Sequence, residues 1–120
     1  MLKNKNSIWQ LHEKAVDIAE NAFIEESKGN LDKAIKLFEK ALVLELDAIS
    51  KLKPNNEPTR SILYRSATSL AFKAKQFSKA ILLIEEGLNE NVPIEIRKEF
   101  EDLKSEVCYH ESFLHLKWVN

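Results

Sequence analysis

Glycine and proline are nearly missing from this chain of 120 residues, which has two of the first and three of the second. Average usage is ~7% and ~5%. The shortage excludes an all-β sandwich, whose many tight turns need those residues. It also excludes a nucleotide-binding fold built on a Gly-rich phosphate loop. A single cysteine, Cys108, leaves no internal disulfide to form and fits a reducing compartment. No window approaches about 18 uncharged apolar residues, so nothing reads as a membrane span. Neither sign of charge dominates: 18 basic residues face 19 acidic ones, a net charge of −1, so no global field steers the chain to nucleic acid or membrane. Met1-Leu2-Lys3-Asn4-Lys5 leads to Glu13, Asp17 and Glu20 without the apolar core of a signal peptide. The expectation is a soluble, cytoplasmic protein.

What remains is helical. Apolar residues make up 44% and charged ones 31%, enough for the core of one domain over residues 1–120. Apolar spacing predicts five helices. The first runs from about Ser7 to Lys28, with Ile8, Leu11, Ala15, Ile18, Ala19, Ala22 and Phe23 inward, and ends at Gly29-Asn30. There glycine suits a left-handed turn and asparagine suits the next N-cap. The second, Leu31 to about Leu52, carries two adjacent stripes, Leu31, Ile35, Phe38, Leu42, Ile49 and Ala34, Leu37, Ala41, Leu44, Ala48, so it packs on two sides. After the proline loop 53–58, a third helix spans Thr59 to about Lys75 with Leu63, Ala67, Leu70, Ala71 and Ala74 inward. The fourth, Lys79 to Asn89, has Ser78 as its candidate N-cap. Pro93 suits the start of the fifth, which turns Ile96, Phe100, Leu103 and Val107 inward. Its end, residues 113–119, also reads as a short alternating strand.

The chain repeats itself at a shift of 46 residues. Leu31-Asp32-Lys33-Ala34-Ile35 falls on Phe77-Ser78-Lys79-Ala80-Ile81, and Leu37, Phe38, Ala41, Leu42 fall on Leu83, Ile84, Gly87, Leu88. Small residues at Ala34/Ala80 and Ala41/Gly87 let paired helices approach closely. With Gly29-Asn30-Leu31, Ala34, Phe38 and Ala41 in the first copy, and Tyr64, Phe77, Ala80, Ile84 and Gly87 in the second, the chain resembles the tetratricopeptide repeat over residues 15–93. It departs from that pattern at Lys75, which replaces the corner glycine, and at Ala67-Thr68, which stand for the usual leucine-glycine. A spacing of 46 rather than 34 residues requires a longer second helix and the proline loop. The resemblance implies an all-α fold of two antiparallel hairpins, 7–52 and 59–91, and a capping helix over 93–118. The microtubule-interacting and transport domain, a three-helix module, is similar at this level, but the second hairpin and cap exceed its size.

The resemblance further implies a protein-binding module whose groove is lined by the first and third helices. From Thr59 to Ile84 there are five basic residues and no acidic one. Arg65, Ser69 and Lys73, four apart, share a helical face and match groove-lining positions, with Phe23 and Phe72 as apolar walls. The occupant expected of such a groove is an acidic or carboxylate-ended peptide. The competing view is a solvated face balanced by Glu20, Glu25 and Glu26. Trp9, Tyr109, Phe113 and Trp118 lie near the chain ends and offer anchors for a structural homodimer instead. His110 and His115, near Cys108 and Glu111, are five apart, about 500° around a helix. They lack a zinc signature, and no metal or other cofactor is expected. His12, alone on the first helix, reads as a surface residue. No catalytic motif occurs, and the basic stretch lacks the aromatics of a nucleic-acid surface. The expectation is a partner protein or peptide and no enzymatic activity.

Overall fold

The computed structural model describes residues 7–89 and 91–119, with side chains as far as residue 110. It is all-helical, with α1 Ile8–Ser27, α2 Leu31–Ser50, α3 Thr59–Lys73, α4 Phe77–Gly87 and α5 Ile94–Val119, and among the described residues no strand occurs. The helix α5 continues through 113–119, so that stretch does not take the alternative strand. Among the described residues no helix is long and apolar enough to cross a membrane.

Two hairpins, α1/α2 and α3/α4, account for most of the packing. Helix α2 also packs against α3, and α5 lies on α3 and α4. Ser7 starts α1, its hydroxyl accepting from the Gln10 amide at 3.2 Å, as an N-cap should. Gly29 ends it in the left-handed region at φ +86. The Asn30 side chain makes no cap hydrogen bond for α2; it reaches back to the Glu25 carboxylate at 2.7 Å. Donation by Asn30, with the charges of Lys33 and Lys28, holds Glu25 below its usual pKa against the opposing pull of burial. Ser78 likewise is not a cap: α4 begins at Phe77, with Gln76 before it. Pro93 stands just ahead of α5, its carbonyl accepting from the Arg97 amide.

The repeat persists in the packing. Ala22 and Thr68, Ala34 and Ala80, and Phe38 and Ile84 are buried pairs 46 residues apart. Every residue expected inward on α3 is buried, as are Ile96, Phe100 and Val107 on α5. Two expectations fail at the surface: Leu31 is 57% exposed and Phe23 50% exposed. Leu31 is the first residue of α2, at the hairpin corner. Phe23 stands edge-on to Phe38, ring centres 5.0 Å apart, with the rest of its ring at the surface.

Candidate functional site: a cleft between α1 and α3

Because α2 packs against both α1 and α3, those two helices stand apart above it. The gap is a cleft of about 360 Å³, lined from α1 by His12, Val16, Ala19, Glu20 and Phe23, and from α3 by Ile62, Arg65, Ser66, Ser69, Leu70 and Lys73. Its α1 side is an i, i+4, i+8 face, His12, Val16, Glu20, and half-exposed Phe23 continues the apolar surface. The volume falls in the lower range of ligand sites and suits a side chain or two with the backbone joining them.

Of the residues singled out in the sequence, Arg65, Ser69, Lys73 and Phe23 meet in this cleft. Phe72 does not line it. Its ring packs against Phe77 at 5.7 Å and edge-on to His110 at 5.2 Å, where α3, α4 and α5 meet. Trp9 and Tyr109 are exposed; the Phe113 and Trp118 side chains lie outside the described residues, as do those of His115 and Glu111. No metal-binding group of histidine, cysteine and carboxylates is found among the described residues.

Both basic residues of the cleft already hold carboxylates. The Arg65 Nη1 donates to Glu99 of α5 at 2.6 and 2.9 Å. The Lys73 ammonium reaches Glu26 of α1 at 2.9 Å and lies over the Phe23 ring, 5.3 Å from its centre. These pairs are about one-third exposed, so each contributes at most about 1 kcal/mol. Their effect is on charge. With Glu20, which has no ion-pair partner among the described residues, three carboxylates surround two cations.

His12 is no plain surface residue. Its Nδ1 lies 2.8 and 3.0 Å from the two oxygens of Glu45, a carboxylate on α2 with no exposed surface. Burial pushes the Glu45 carboxyl above its ordinary pKa, and the Ser66 hydroxyl and His12 pull it back. Position 45 fills the gap between Leu42 and Ile49 in the first apolar stripe of α2, which the sequence assigns to the core, and a carboxylate inside such a stripe is the signal that could have located this pair. His12 Nε2 has no hydrogen-bond partner among the described residues.

No family model, curated protein or solved structure matches the chain.

Proposed function

We propose that this protein is a tetratricopeptide-like interaction module, without enzymatic activity, that docks a short segment of a partner protein in the α1/α3 cleft. The observation that carries the proposal is an open groove with an apolar floor of Val16, Ala19, Phe23, Ile62 and Leu70, in which half-exposed Phe23 would lose its water on docking. Arg65, Ser66, Ser69 and Lys73 supply hydrogen-bond donors around it, while Glu99 and Glu26 cancel the charge of the two cations. That favours a neutral segment with apolar side chains over an acidic one.

Selection from a displayed peptide library against the full chain tests this. The expected peptides are apolar and uncharged, bind equally at low and high salt, and are lost on Val16→Glu. Acidic peptides that wash off with salt would restore the acidic occupant. Peptides indifferent to Val16→Glu would remove the cleft from consideration.

A second reading, a structural homodimer through the chain ends, is supported by the exposure of Trp9 (47%) and Tyr109 (67%). Light scattering decides it, since a monomer across the accessible concentration range ends that reading.

A further inference from the structure

The His12–Glu45 contact is too short for anything but a hydrogen held between the two groups. Glu45 is wholly buried, and among the described residues His12 is the one basic side chain within ion-pair distance of it. A bare carboxylate there would be an uncompensated buried charge, which is costly. The burial therefore favours a pair that keeps one proton and is neutral overall, against the hydrogen bond that Ser66 gives the carboxylate.

That proton has two places. On Nδ1, the ring is an imidazolium facing a carboxylate, with a hydrogen on each nitrogen. On the carboxyl, Glu45 donates to Nδ1 and the ring keeps its other hydrogen on Nε2. In both arrangements Nε2 carries a hydrogen. Nδ1 is fixed by Glu45, the ring stands edge-on to Trp9 with centres 5.5 Å apart, His12 lines the cleft, and Nε2 has no hydrogen-bond partner among the described residues, so this N–H is left for an occupant.

We infer that His12 is the specificity-determining donor of the cleft, its Nε2–H donating to a main-chain carbonyl oxygen of the docked segment. The inference rests on the docking reading above and names the atom that reads the occupant. A carboxylate is the stronger acceptor in itself, but the charge around this cleft disfavours it. The charged groups sharing the cleft with His12 are Glu20 from α1, Glu45 from α2, and Arg65 and Lys73 from α3, closed by Glu99 of α5 and Glu26 of α1. With His12–Glu45 neutral, the balance is three negative charges to two positive. When the pair gives up its proton, the one hydrogen left on the ring stays on Nδ1 against the Glu45 carboxylate. Nε2 then presents a lone pair that repels the carbonyl.

The test uses the full chain and two probes, N-acetyl-leucine methylamide, which is neutral, and N-acetyl-leucine, which adds a carboxylate. Backbone amide signals of Val16, Ala19, Ser66 and Ser69 report occupancy, and the Nε2 nitrogen signal reports its hydrogen along the same pH series. The expected result is a hydrogen on Nε2 at neutral pH and half-saturation by the methylamide at a concentration no higher than for the acid. As Nε2 loses its hydrogen, that concentration should rise about 5- to 10-fold, the worth of one hydrogen bond. His12→Phe should bind the methylamide weaker by the same factor, without dependence on pH. A bare Nε2 at neutral pH, tighter binding of the acid, or equal binding by His12→Phe would overturn the inference and leave the docking reading standing. Neither probe moving any cleft signal would overturn the docking reading itself, and the inference with it.

Discussion

Lys75 stands 46 residues after Gly29 and takes the same left-handed turn, at φ +65 against +86. The hydrogen bonds around the two corners correspond atom for atom. Gly29 and Asn30 donate to the carbonyls of Glu26 and Glu25; Lys75 and Gln76 donate to those of Phe72 and Ala71. Both helices thus close with the bonding of a Schellman cap. A side chain in this conformation costs about 1–2 kcal/mol, partly offset by the greater freedom glycine has in the unfolded chain. We expect Lys75→Gly to stabilise the protein by about 0.5–1 kcal/mol and Gly29→Ala to destabilise it by about 1 kcal/mol. Urea unfolding midpoints give both signs, and a loss of stability in Lys75→Gly would show that its ammonium does more at the corner than its backbone costs.

Gly87 lies under Phe100. A Cβ built on it would sit 2.9 Å from the Phe100 ring and 3.0 Å from the Tyr64 Cβ, and Phe100 is fully buried with nowhere to move. Alanine would gain about 1 kcal/mol of helix propensity but overpack the α3/α4/α5 junction by about 1–3 kcal/mol. We expect Gly87→Ala to lower stability by about 1 kcal/mol, and Phe100→Leu to remove that penalty in the double variant. Additive effects in the denaturation cycle would mean the two residues are not in conflict.

Arg60 belongs to the same basic stretch as Arg65 and Lys73 but does different work. Its Nη1 donates to the Gly87 carbonyl at 2.9 Å and its Nη2 to the Glu86 carbonyl at 2.5 Å, with the guanidinium 4.7 Å over the Tyr64 ring. It thereby satisfies the last carbonyls of α4 and favours the negative end of the helix dipole. Arg60→Met should cost about 1–2 kcal/mol, and Arg60→Lys should recover only part of it, because an ammonium cannot span two carbonyls in one plane. Thermal unfolding of the two variants side by side checks the order; equal stability to the parent would place these bonds at the surface in solution.

Much of this was legible in the sequence because apolar periodicity reports burial directly. Leu63, Ala67, Leu70, Ala71 and Ala74 read as one face of α3, and that face is buried. The 46-residue shift was equally plain, since small residues recur wherever helices cross. Details depending on a partner far along the chain were not. Phe72 precedes Lys73 by one residue, about 100° around the helix, so it faces α5 rather than the cleft. Glu26, named from the sequence as a balancing charge, does hold Lys73, but the Glu99 carboxylate on Arg65 comes from α5. His12 and Glu45 are 33 residues apart; the two stripes of α2 mark Glu45 as core-facing, but nothing local says that it meets a histidine of α1.

The burial of Glu45 has a consequence for stability against pH. Its native pKa is raised above the ordinary value of 4.5, chiefly by burial, so this carboxyl keeps its proton to a higher pH in the folded protein than in the unfolded chain. The stability this contributes is fully present below about pH 4.5 and is lost as pH rises through the raised native value. Each pH unit between the two values amounts to about 1.4 kcal/mol, which is several degrees of thermal midpoint for a chain of this length. Glu45→Gln keeps the shape and an oxygen for His12 Nδ1–H but has no proton to lose. We therefore expect the melting temperature of the glutamine variant, relative to the parent, to climb as pH is taken from about 4 to about 8. Parallel profiles would mean that Glu45 ionises in the folded protein as readily as in the unfolded chain, and that the cleft holds a charged carboxylate beneath His12.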